Sequence, residues 1–116
     1  MKENKLVDKS IVFASKILKL HNHLVKTQKE TIISKQIVRS GTSIGANINE
    51  AQYGQSKADF VSKMHIALKE TAETEYWLRL LVMSEIITED MGNSVLEDCL
   101  SIKRMLISSI KTAKED

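Results

Sequence analysis

Three groups of residues in this 116-residue chain have the types and spacing to do chemistry. Glu70, Glu73 and Glu75 stand close together, and paired carboxylates can serve as general acid and base. No histidine accompanies them in sequence, and Arg39 is the natural counter-charge. Ser40-Gly41-Thr42-Ser43-Ile44-Gly45-Ala46-Asn47 is rich in glycine and hydroxyls. Such a run can cradle an anion on its backbone N–H groups, but the Gly-x4-Gly-Lys-Ser/Thr spacing of a phosphate loop is absent. Lys2, Lys5, Lys9, Lys16, Lys19 and Lys26 recur so that, at 100° per residue, they share an arc of about 120°. A row of cations of this kind suits a phosphate backbone.

The remaining reactive types point away from catalysis. His21, His23 and His65 form no His-x3-His or Glu-x-x-His pair on one helical face, so no metal site is expected. His21 falls within an apolar arc and reads as a histidine at a core edge or subunit interface. His23 points with the lysines and is expected to be exposed. Cys99 is the only cysteine, flanked by Leu96, Leu100 and Ile102, and reads as a buried structural thiol. With no nucleophile–base pair, metal set or phosphate loop, we expect a protein that is not an enzyme and carries no cofactor.

These residues are positioned by helices. The chain has no proline and only four glycines, too few for a turn-rich sandwich or barrel, and its length allows one domain. No run approaches the roughly 18 apolar residues of a membrane span. The start of the chain leads into an amphipathic segment rather than a signal-peptide apolar core, so a cytoplasmic location is expected. Helices are predicted over 5–25, 30–53, 57–87 and 89–113, forming one four-helix-bundle domain over 1–116. Short connections make an antiparallel up-down bundle the natural all-α assembly.

In the first helix, Leu6, Phe13, Ile17, Leu20 and Leu24 fall on one side of an apolar arc. Val7, Ile11, Ala14, Leu18 and Val25 fall on the other. Together they span roughly 180°, wider than the roughly 100° stripe of a helix packed on one face. The extra width implies burial against another subunit. Residues 1–40 hold nine Lys/Arg against three Asp/Glu, and residues 41–116 hold eight against twelve. Such asymmetry signals an anionic partner for the first part, or attraction between the two parts within or between chains.

The second helix lines up Ile33, Ile37, Gly41, Ile44, Ile48 and Ala51. Glycine costs about 1 kcal/mol relative to alanine in a helix interior. Gly41 and Gly45 are therefore expected to admit a close neighbouring backbone. Gly54 suits a left-handed residue after the helix, and Gly92 lies near the next joint. Ser56 with Asp59 forms a capping box, and Thr88 can cap the fourth helix. That helix has the core line Val95, Cys99, Ile102, Leu106 and Ile110. A hairpin between the second and third helices sets Arg39 within reach of Glu73, Gln36 opposite Glu75, and Ser40 opposite Thr71. A polar layer of Arg39, Ser40, Ser43, Asn47, Glu50, Glu70 and Glu73 would then lie at this seam.

The stretch from Gln36 to Ala51, with Asp59-Phe60, Ile66-Ala67-Leu68-Lys69-Glu70 and Glu73-Thr74-Glu75-Tyr76-Trp77-Leu78, resembles the four-helix-bundle family of proteins encoded in 23S rRNA intervening sequences. The resemblance covers nearly the whole chain. This sequence departs from the family pattern at Glu50-Ala51, where Glu-Gly is common. It departs again at Leu24-Val25-Lys26-Thr27, where proline is common. The resemblance implies a bundle assembled as a ring, typically a homopentamer. It also implies kinship with accessory proteins of diversity-generating retroelements, which bind a reverse transcriptase and nucleic acid through a basic surface. No enzymatic activity is established for the family. Two functions are therefore expected. One is a nucleic-acid adapter acting on RNA or DNA through Lys5, Lys9, Lys16, Lys19 and Lys26. The alternative is a protein-interaction scaffold without a nucleic-acid role.

Overall fold

The computed structural model describes residues 4–115, so Lys2 of the lysine arc lies outside the described residues. The described residues form four helices: α1 (Lys5–Lys26), α2 (Ile32–Ala51), α3 (Lys57–Met83) and α4 (Glu89–Glu115). No strand occurs among the described residues. Helix α1 packs on α2, α2 on α3 and α3 on α4, and α4 closes back on α1. The long dimension of 46 Å is close to the length of one 27-residue helix at 1.5 Å per residue.

Polar side chains set most of the helix starts. Asn4 Oδ1 accepts from Val7 N at 3.1 Å, Ser56 Oγ from Asp59 N at 3.1 Å, and Thr88 Oγ1 from Met91 N at 3.2 Å. Asp59 does not close a reciprocal box; its Oδ2 accepts from Gln55 N instead. Helix α2 starts at Ile32 rather than at residue 30, because Glu30 stays outside as its cap. The Glu30 carboxylate accepts from the N–H groups of Ile32, Ile33 and Ser34. These are donors that a helix start otherwise leaves unsatisfied.

The ends differ more from the sequence reading. Helix α3 stops at Met83, four residues short of the predicted 87. Glu85 adopts φ 59°. Ile86 N then donates to Leu81 O and Glu85 N to Val82 O, each at 3.0 Å. This is the bonding of a Schellman motif, normally built on glycine. Ile87 is thereby carried off the helix and buried. At the α1–α2 joint Lys29 is likewise left-handed, with φ 58°, and Glu30 N donates to Leu24 O at 2.8 Å. Gly54 is not left-handed, contrary to expectation, and no glycine has positive φ. Gly92 lies inside α4, where it is buried.

Glycine here serves close approach. A Cβ on Gly41 would lie 2.9 Å from Ile17 Cγ1, and one on Gly92 would lie 2.1 Å from Val82 Cγ2. Contact at Gly41 lets α1 bury Leu6, Phe13, Ile17, Leu20 and Leu24. The predicted α4 line Val95, Cys99, Ile102, Leu106 and Ile110 is buried against them in one core.

Two stability outcomes follow. Gly92→Ala should lower unfolding stability by about 1–3 kcal/mol through overpacking. Gly92→Ala/Val82→Ala should regain part of that loss; urea unfolding of both variants and wild type decides. Lys29→Gly, which relieves the left-handed backbone, should raise stability by roughly 0.5–1 kcal/mol. A single substitution at Gly92 as stable as wild type would remove the close-packing account.

Candidate nucleic-acid interface and polar seam

The lysine row is a property of one face of α1. Lys5, Lys19 and Lys26 are exposed, and Lys9 is half-buried. None of these four has an ion-pair partner among the described residues. Lys16 differs: its Nζ is bonded to Asp98 of α4. That pair neutralises Lys16 and ties α1 to α4. The free cations therefore divide into Lys5 and Lys9 at one end of the helix and Lys19 and Lys26 at the other. His23, expected among the exposed residues, is half-buried near the end of α1. His21 is also half-buried, and its Nδ1 has no partner. His65 is exposed on α3. No group of three His, Cys, Asp or Glu among the described residues is placed to hold a metal ion.

The seam between α2 and α3 holds part of the anticipated layer. The Arg39 guanidinium bonds Glu73 and lies 3.4 Å from Glu70 Oε2. Trp77 Nε1 donates to Glu73 Oε2 at 3.0 Å. The indole was missed in the sequence, although its spacing of four from Glu73 places the two on one helical face. Donation from Trp77 and then Arg39 holds the Glu73 carboxyl below its ordinary value. Glu73 in turn raises the Arg39 guanidinium further.

Other members of the layer go elsewhere. Ser40 is buried opposite Thr74, one turn beyond the expected Thr71. The Thr74 hydroxyl donates to Glu70 O and shares a 2.9 Å hydrogen bond with the Ser40 hydroxyl. Asn47 stays on its own helix, where Nδ2 donates to Ser43 O and Ser43 Oγ. Glu50 lies 3.9 Å from Lys63 of α3. Glu75 does not face Gln36. It accepts from Lys103 of α4 and from Arg79, each at 3.0 Å, and these cations hold its carboxyl low, Lys103 foremost.

The charged groups of the arrangement are mostly paired with one another: Arg39 with Glu73 and Glu70, and Glu75 with Lys103 and Arg79. Glu70, Glu73 and Glu75 each accept from a cation, while Glu50 lies farther from Lys63 and is exposed. Cys99 is fully buried and its Sγ lies 3.4 Å from Thr71 O. Burial pushes its thiol up to about 12, with Glu75 adding to the rise. A nucleophilic cysteine needs the opposite shift. No helix among the described residues is long and apolar enough to cross a membrane.

Comparison with known proteins adds a relation. The sequence pattern of the 23S rRNA-intervening sequence proteins matches residues 2–108. A crystal structure of a protein of unknown function from the S23 ribosomal protein family of Bacteroides thetaiotaomicron is similar, with 55% identity and a TM-score of 0.91. The likeness covers 91% of this chain and 98% of that one. No curated protein matches the chain.

The seam makes two measurable demands. In a double-mutant cycle, Arg39→Ala and Glu73→Ala should couple by about 0.2–1 kcal/mol, a small amount because the guanidinium is half exposed. Losses that add without coupling would dismiss the pairing. The carboxyls of Glu73 and Glu75 titrate lower folded than unfolded, so their stabilising contribution is present above the ordinary glutamate value of 4.5 and disappears as pH falls through the depressed values. Trp77→Phe should make that acid loss shallower, as read by unfolding titrations below pH 5.

Proposed function

This chain belongs to the 23S rRNA-intervening sequence protein family, and from that premise we propose that it is a non-enzymatic accessory protein that self-assembles and binds nucleic acid. The observation that carries the reading is the row of partner-free cations on α1. Lys5, Lys9, Lys19 and Lys26 share one helix face, while Lys16 is tied to Asp98. No aromatic side chain is interleaved with them, so the contacts are to phosphates and tolerate any sequence. Repetition of the row around an assembly multiplies its charge. The cytoplasm is the compartment in which such a partner is met.

The bundle is read as antiparallel and up-down. Arg39 with Glu73, Ser40 with Thr74 and Glu50 with Lys63 support this, since the ten residues from Ser40 to Glu50 along α2 carry the partner back from Thr74 to Lys63 along α3. Assembly into a ring, with five copies as the family resemblance implies, is supported by the apolar side chains that α1 leaves outside. Ile11 is 63% and Leu18 49% exposed, and Val12 is exposed beside them. These same side chains favour the second reading. In it the protein is a scaffold for another protein, such as a reverse transcriptase, and nucleic acid is irrelevant.

Titration with RNA and duplex DNA at 50 and 200 mM salt separates the two. For the adapter, affinity falls steeply with salt. Lys5→Gln/Lys9→Gln weakens binding and lowers the salt slope by about two per chain in contact. Affinity indifferent to salt, or unchanged by the double substitution, defeats the adapter reading. Light scattering tests assembly: a mass of 13.1 kDa at micromolar concentration defeats it.

A further inference from the structure

The two left-handed joints lie at one end of the bundle, beside a groove of about 830 Å³. Val82, Met83, Ile86 and Leu96 give the groove an apolar lining. Met83 is 83% exposed, an unusual state for a side chain that gains by burial. Glu85 and Glu89 also line the groove, and neither has an ion-pair partner among the described residues. Arg79 is there too, but its charge is answered by Glu75. The groove thus combines apolar side chains with unanswered negative charge. His23 also lines it, which places the C-terminal half of α1 at the same end of the molecule.

That half of α1 carries the complementary features. Leu18 is half exposed and Val25 partly so, with Lys19 and Lys26 alongside. Pairing of this face with itself, α1 on α1, would set lysines against lysines. Like charges at a contact act against it, whereas opposite charges steer association and fix register. Because face and groove lie at the same end, rotation about an axis parallel to the bundle brings one to the other at the same level.

We propose that the C-terminal face of α1 in one copy, with Leu18, Val25, Lys19 and Lys26, docks into the α3–α4 end groove of a second copy and faces its Glu85 and Glu89. The contact deepens the self-assembly reading above and rests on it. It joins two different surfaces, so it repeats from copy to copy and closes into a ring when the rotation allows. Lys19 and Lys26 are then covered, which shortens the nucleic-acid row of the reading above to Lys5 and Lys9.

Charge exchange tests the contact. Light scattering at 0.15 M NaCl gives the masses of wild type, Lys19→Glu/Lys26→Glu, Glu85→Lys/Glu89→Lys and the fourfold variant that carries all four changes. Far-ultraviolet circular dichroism verifies that each remains helical. Wild type is expected to assemble, and each double variant to need at least tenfold more protein to do so. The fourfold variant, in which the charges are exchanged but again opposite, is expected to regain assembly. Wild-type mass in both double variants overturns the docking while leaving self-assembly intact, and would assign the groove to a basic segment of another protein. Failure of the fourfold variant to reassemble while remaining helical also overturns it. A monomeric wild type removes the self-assembly reading itself.

Discussion

The close approach of the α2 backbone at Gly41 and Gly45 to side chains of α1 governs what this molecule can present to its surroundings. Gly41 lies under Ile17 and Gly45 under Ser10. With α1 seated this way, its rotation about its own axis is decided. Phe13, Ile17 and Leu24 turn inward, and Ile11 and Leu18 remain outside. The same rotation sends Lys16 toward Asp98 and leaves its neighbours unpaired. A larger residue at Gly41 would press on a buried β-branched side chain with little freedom to move. Core composition, lysine display and the apolar face thus share a common geometric cause.

The seam between α2 and α3 works on a different principle. Its charged groups are partly exposed, so their pairing contributes little net stability and mainly limits how the helices register. The buried Ser40–Thr74 contact is more restrictive, because a slip of one turn would take from the Ser40 hydroxyl its partner in an apolar core, while Thr74 keeps its bond to Glu70 O. Glu75 extends this restraint to α4 through Lys103. Polar atoms inside the bundle therefore serve to reject alternative packings.

Periodicity made the existence of all four helices legible, and the buried line from Val95 to Ile110 follows directly from it. Ser56 and Thr88 were readable as caps because their chemistry is local. Arg39 and Glu73 were readable as neighbours because a short hairpin constrains distance between its arms. Ser40 was assigned a partner one turn away from the real one, since the tilt between helices depends on side chains from the whole interface. Lys16 with Asp98 and Lys103 with Glu75 join residues far apart in sequence, and only the assembled core determines their meeting. The joints were misread for a separate reason. Glycine is the usual left-handed residue, yet Lys29 and Glu85 fill those positions while the glycines sit at contacts. Local propensity cannot anticipate a strained residue held in place by the helices on either side.

Cys99 gives the molecule a chemical character beyond its packing. Its thiol is sealed in the core and held far from ionisation at neutral pH. Oxidants and electrophiles therefore reach it only when the bundle opens. Two copies of the chain cannot become covalently cross-linked through sulfur while both stay folded. Contacts between copies therefore have to hold without a bridge through Cys99, whatever the redox state of the surroundings.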